Sequence, residues 1–127
     1  AGISGTTSFR RQRCGTRKDD VVRLRHMRDA AREAAGFVAA RAYLDLHSDR
    51  QLTLSLVKEI EIIGEAAARL SDETRAAISG IPWVDVVGMR NRLVHVYFDI
   101  DLERLWDTVQ QDLPQLAAEL DRVLEGA

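Results

Sequence analysis

Apolar residues recur at helical spacing along most of this chain. Leu24, Met27, Ala31, Ala34 and Val38 fall on one stripe, which predicts a first helix capped by Asp19 or Asp20 and running to about Arg41. Leu46-His47-Ser48-Asp49 interrupts that pattern, and Ser48 or Asp49 can cap a second helix. Its stripe is Leu52, Leu56, Ile60, Ile63, Ala67 and Leu70, the most regular period in the sequence. Ser71-Asp72-Glu73-Thr74 opens a short third helix, with Ser71 as its cap and Gly80 as its end. Pro82 suits the first turn of a fourth, from Trp83 to about Tyr97, where its missing N–H costs nothing. Asp99 and Asp101 can cap a fifth, which turns Leu105, Trp106, Val109, Leu113, Leu116, Leu120 and Val123 inward; Pro114 should bend or split it. The run Leu93–Phe98 is β-branched and aromatic, but its flanks are helical and it is read as helix. Short connections between helices predict an all-α, antiparallel four/five-helix bundle.

Composition agrees. The 127 residues suit one domain, and two prolines with eight glycines are too few for the many turns of a sandwich or barrel. A single cysteine, Cys14, excludes a disulfide framework and a multi-cysteine zinc site. No apolar run reaches membrane-spanning length, so no membrane role and a cytoplasmic location are expected. The net charge of −2 does not announce a nucleic-acid binder, but it hides an asymmetry. Residues 1–18 hold Arg10, Arg11, Arg13, Arg17 and Lys18 and no acid, whereas residues 19–127 carry 13 bases against 20 acids, a net of −7. Residues 1–18 therefore read as a flexible basic leader and 19–127 as the helical domain. The leader's composition also suits an RNA-attracting arm or an organellar transit peptide.

The chemistry concentrates in Arg90-Asn91-Arg92-Leu93-Val94-His95-Val96-Tyr97, polar groups in an otherwise core-forming helix. On a straight helix Asn91 and His95 lie about 40° apart, and Arg90 and Tyr97 about 20° apart, but Arg90 and His95 differ by about 140°. Either Arg90 reaches round the helix, the helix end distorts, or a second subunit completes the site, which makes a symmetric homodimer attractive. Histidine moves protons near neutrality and arginine's forked donors match phosphate oxygens. With the 2′-OH of RNA as internal nucleophile, phosphodiester cleavage then needs no metal. Glu61 and Glu65 share a face of the second helix; such a pair is commonly a solvated face, and Glu65 can also pair with Arg90 across the bundle and orient it. His26 and His47 lack metal-ligand spacing, Trp83 and Trp106 belong to the core or an interface, and Gly64 and Gly88 can permit close helix approach.

The arrangement R-x4-H-x-Y resembles the signature of HepT-like toxins, a branch of the HEPN (higher eukaryotes and prokaryotes nucleotide-binding) superfamily. The resemblance extends to Leu24–Ala30, to Ile60-Glu61-Ile62-Ile63-Gly64-Glu65-Ala66-Ala67, to Ile81-Pro82-Trp83, to Tyr97–Asp101, and to Leu105-Trp106 with Asp112-Leu113-Pro114. It covers about residues 21–124. It implies an all-α homodimer with a composite site between protomers, acting as a metal-independent ribonuclease toxin of a type VII-like toxin–antitoxin pair. Arg90 and His95 would be catalytic and Asn91 supporting, with Arg92 helping to hold RNA, tRNA or mRNA. Tyr97 would accept AMP from an MNT-type nucleotidyltransferase antitoxin that uses ATP; the chain itself would need no cofactor. The alternative is a catalytically inactive HEPN dimer that binds a nucleotidyltransferase partner or a nucleotide.

Overall fold

A computed structural model describes residues 2–126, with side chains for 18–97 and 99–126; the expected leader, Cys14 included, lies outside those side chains except for Lys18. The helices are α1 (Gly2–Phe37), α2 (Asp45–Ser48), α3 (Arg50–Arg69), α4 (Asp72–Ala77), α5 (Trp83–Leu93), α6 (Leu102–Asp107) and α7 (Leu113–Glu125). The central helix is α3, packed between α1 and α5, while α7 closes the bundle against α1. The expected stripes form the core: Met27, Ala31 and Ala34 of α1, Leu56, Ile60 and Ile63 of α3, and Leu105, Leu113 and Leu120 are all buried. At about 0.8 kcal/mol per buried CH₂, this shared apolar interior supplies the main drive for folding. No helix among the described residues is long and apolar enough to cross a membrane.

Caps fix the helix starts. Leu52 N–H donates to Asp49 Oδ1 at 3.0 Å, Thr74 N–H to Ser71 Oγ at 3.1 Å, and Arg104 N–H to Asp101 Oδ1 at 3.1 Å. Asp20 departs from expectation. It lies inside α1 rather than at its start, 1% exposed, and accepts hydrogen bonds from the Thr74 hydroxyl and from Ser71 Oγ at 2.7 Å. It ties α1 to the cap of α4. α1 itself ends at Phe37, short of Arg41, and the expected break at residues 46–49 begins with the single helical turn α2.

Pro114 has the predicted effect by an unpredicted route. Proline lacks the N–H that would bond to the carbonyl four residues earlier. The chain widens into a π-helical turn at Thr108–Asp112, and α7 restarts with Pro114 in its first turn.

Candidate active site

α5 ends at Leu93, four residues before the expected Tyr97. Val94 is extended and buried, and forms an isolated antiparallel bridge with Ile100. The β-branched run thus has its strand chemistry partly realised: Val94 gains a cross-strand partner and a place in the core. His95 continues the extended path, its N–H donating to Asp99 O at 2.8 Å. Val96–Phe98 then make a 3₁₀ turn, and Asp101 N–H closes the excursion onto Leu93 O at 2.8 Å. The helix end is therefore distorted, one of the three possibilities weighed for Arg90 and His95, and the angular argument for a shared face of Arg90 and Tyr97 does not apply.

Arg90 sits in the last turn of α5, and its Nε donates to Glu61 Oε2 at 3.2 Å. Both side chains are about one-third exposed, 34% and 29%, so the pair orients the guanidinium more than it stabilises the fold. Lys58 Nζ lies 3.8 Å from the other oxygen of Glu61. The expected partner, Glu65, is not the one used. It lies exposed in a notch of about 420 Å³ with Arg23, His26 and Arg69.

Gly64 explains the register. A Cβ there would stand 3.4 Å from Val87 O and 3.6 Å from Val86 O, so α5 crosses α3 closely at this point. In an antiparallel pair, three residues forward on α5, from Val87 to Arg90, match three residues back on α3, from Gly64 to Glu61. The close approach at Gly64 was legible in the sequence; its use as a register mark was the overlooked signal for Glu61.

The remaining candidates separate. His95 and Asn91 are exposed at the end of α5. Tyr97 is 96% exposed and adopts a left-handed backbone with φ 60°, which a non-glycine residue rarely does. Its hydroxyl stands clear of the fold. Arg92 points elsewhere, being about 200° round the helix from Arg90. It donates to Asp85 O at 2.6 Å and borders a groove of about 670 Å³ between α5 and α7. Among the described residues, no three His, Cys, Asp or Glu side chains gather where they could hold a metal ion. His47 stacks edge-on against Tyr43 and His26 lines the notch beside Glu65. Trp83 Nε1 donates to Ile78 O at 2.9 Å, fastening α4 to α5, and Trp106 packs half-buried near Tyr43.

The chain is thus an all-α bundle whose central helix holds Arg90 through Glu61 and whose fifth helix stops short of an exposed His95. The family model described as Ribonuclease HepT-like matches residues 27–123, and the chain belongs to that family. Among its relatives is "Putative RNase" of Caldanaerobacter subterraneus subsp. tengcongensis, 34% identical over 84 residues, which are 66% of this chain and 75% of that protein. "Probable ribonuclease HepT" of Thermococcus cleftensis is 30% identical over 87 residues, 68% of this chain and 79% of its own length. A further "Putative RNase", from Methanocaldococcus jannaschii, is 29% identical over 108 residues, 85% of this chain and 99% of its own. No solved structure matches the chain.

Proposed function

We propose that this chain is an endoribonuclease, a toxin whose catalytic groups are Arg90 and His95. The observation that supports the reading is that Glu61 holds Arg90 in the last turn of α5, and that His95, five residues on and past the end of that helix, is exposed. His95 acts as general base on the RNA 2′-OH and, in its protonated form, as general acid to the departing 5′-oxygen. The 2′-oxygen attacks phosphorus, the P–O5′ bond breaks, and a 2′,3′-cyclic phosphate remains. Arg90 stabilises the charge that develops on the phosphoryl oxygens. The nucleophile comes from the substrate, so the reaction is metal-independent.

The working form is a homodimer. Val84 and Val87 expose 86% and 39% of their surface on the α5 face that continues to Asn91. This apolar stripe is flanked by Arg90 and leads to His95, so a two-fold pairing of α5 helices covers the valines and faces two Arg–His sets across one groove. The doubled arginines offset the acidic domain where RNA phosphates lie. Neutralisation follows from Tyr97: its exposed hydroxyl accepts AMP from a nucleotidyltransferase antitoxin that spends ATP. The added phosphate and bulk beside the groove exclude RNA by sterics and like charge.

Incubation of the purified protein with tRNA and mRNA, with and without EDTA, tests the reading. Cleavage unaffected by EDTA and lost in His95→Ala and Arg90→Ala, with the dimer retained, is the expected result. Undiminished cleavage by His95→Ala refutes the assignment. A folded dimer that leaves every RNA intact favours instead the inactive, partner-binding module.

A further inference from the structure

Lys58 joins the Arg90 site to a second concavity. Glu61 is shared between two cations: Arg90 Nε donates to its Oε2 at 3.2 Å, and Lys58 Nζ stands 3.8 Å from its Oε1. The second distance is too long for a hydrogen bond, and Lys58 is 69% exposed, so Glu61 holds the ammonium only loosely. Lys58 also lines a groove of about 670 Å³ between α1 and α3. Phe37, Leu54 and Ile62 give this groove an apolar wall, and Phe37 and Leu54 keep 39% and 43% of their surface exposed. Gln51 and Ser55 add polar groups to it. The carboxyls of the groove are engaged with each other, Glu59 being buried and hydrogen-bonded to Glu33. Burial, then the hydrogen bond and charge of Glu33, push Glu59 up to about 7, so near neutrality the pair carries less than its full negative charge.

We propose, on the ribonuclease reading given above, that this groove seats the nucleotide next to the scissile bond of single-stranded RNA, with its phosphate on Lys58 and its base against Phe37, Leu54 and Ile62. Lys58 and Glu61 are three residues apart on α3, about 4.5 Å along its axis. A strand with one phosphate at Arg90 therefore meets a second cation close by. In the opposite direction along α3, Glu65 presents an exposed carboxylate four residues past Glu61. Phosphate is repelled there, so the strand leaves over Lys58. A phosphate oxygen can offer Lys58 a charged hydrogen bond in place of its 3.8 Å contact with Glu61. The bases of single-stranded RNA are free to lie on apolar and aromatic side chains, and Gln51 and Ser55 can meet a base edge. A duplex keeps its bases stacked inside and has none to give the groove.

An RNA hexamer spanning a site that the protein cuts tests the subsite. In modified copies a methylphosphonate neutralises one flanking phosphate at a time, or an abasic nucleotide removes one flanking base. For the wild type, neutralising one of these phosphates should raise KM about fivefold, and removing the base on the same side should raise it at least as much. Lys58→Gln should raise KM by the same factor on the intact hexamer, with the whole effect in KM, and should be indifferent to neutralisation of that phosphate. Its slope of log(kcat/KM) against log[salt] should be shallower by about 0.7, the loss of one phosphate contact. Lys58→Arg keeps the charge and should keep the wild-type KM. The inference is overturned if Lys58→Gln leaves KM unchanged, if its effect adds to that of the neutralised phosphate, if kcat falls instead, or if no abasic position matters. Absence of cleavage in every RNA, by contrast, overturns the ribonuclease reading itself.

Discussion

Replacing Asp20 with Asn tests whether one buried carboxylate holds α1 to the turn that precedes the site helix. Asp20 receives hydrogen bonds from Ser71 Oγ, Thr74 Oγ1 and Ser71 N–H, and Arg23 lies 3.5 Å away. Burial alone would raise its pKa, but the hydroxyl and amide donors outweigh burial and hold the carboxyl below its ordinary value. Asparagine keeps the volume and one acceptor but loses the charge and one hydroxyl contact. Hydrogen bonds to a charged group contribute about 1.5–3 kcal/mol each, and a retained neutral one about 1 kcal/mol, so the expected loss is about 2–3 kcal/mol. For a chain of this length that is a fall in Tm of about 10 °C. The group's folded pKa is depressed, so its contribution is full above the unfolded value of about 3.9 and disappears as pH falls through the folded value. Thermal and urea unfolding of both proteins, followed by circular dichroism from neutral to acid pH, should show a constant gap that closes only in acid. Equal stability at neutral pH, or a gap that widens on acidification, refutes the reasoning. RNA cleavage measured well below the lower Tm should be unchanged, because Asp20 touches neither Arg90 nor His95.

Glu59 should behave oppositely. Its folded pKa is raised to about 7, so wild-type stability is greatest below the unfolded value and declines as pH rises through 7. Glu59→Gln should remove that decline, gaining on the order of 2–3 kcal/mol at alkaline pH in urea unfolding; a profile as steep as wild type contradicts the assignment. Gly64→Ala places a methyl at ordinary contact distance from Val87 O and gains helix propensity, so stability should hold or rise by up to about 1 kcal/mol. Gly64→Leu should instead push α5 away and lower RNA cleavage through the Glu61–Arg90 pair, read as kcat against Tm. Tyr97→Gly relieves a left-handed backbone and should leave Tm equal or slightly higher while abolishing AMP incorporation in co-expressed protein, read by mass.

The bundle was legible because its signals are local and repeated. The stripe from Leu52 to Leu70 buries as a helical period requires, and Ser71, Asp49 and Asp101 cap as their side chains dictate. What failed was long-range. Val94-His95-Val96 carries strand chemistry between helical flanks, and only the partner Ile100 decides where α5 stops. The choice between Glu61 and Glu65 is one helical turn, invisible to periodicity and settled by where Gly64 lets α5 cross. Asp20 looked like a cap for its own helix, yet its ligands are Ser71 and Thr74, some fifty residues on. The order of Arg90, Asn91, Arg92, His95 and Tyr97 can be read in the sequence, whereas the end of α5 ahead of His95 depended on the Val94–Ile100 bridge.

The excursion between α5 and α6 is bolted at both feet: Asp101 N–H returns to Leu93 O, and the Asp101 carboxylate starts α6. Its tip, from His95 to Tyr97, carries no core side chain. His95 and Tyr97, unlike Arg90, therefore stand outside the packed bundle. Evolution can rewrite the tip, adding or deleting a reactive group, without renegotiating the bundle beneath it, and an engineer can treat those three positions as an exchangeable cassette.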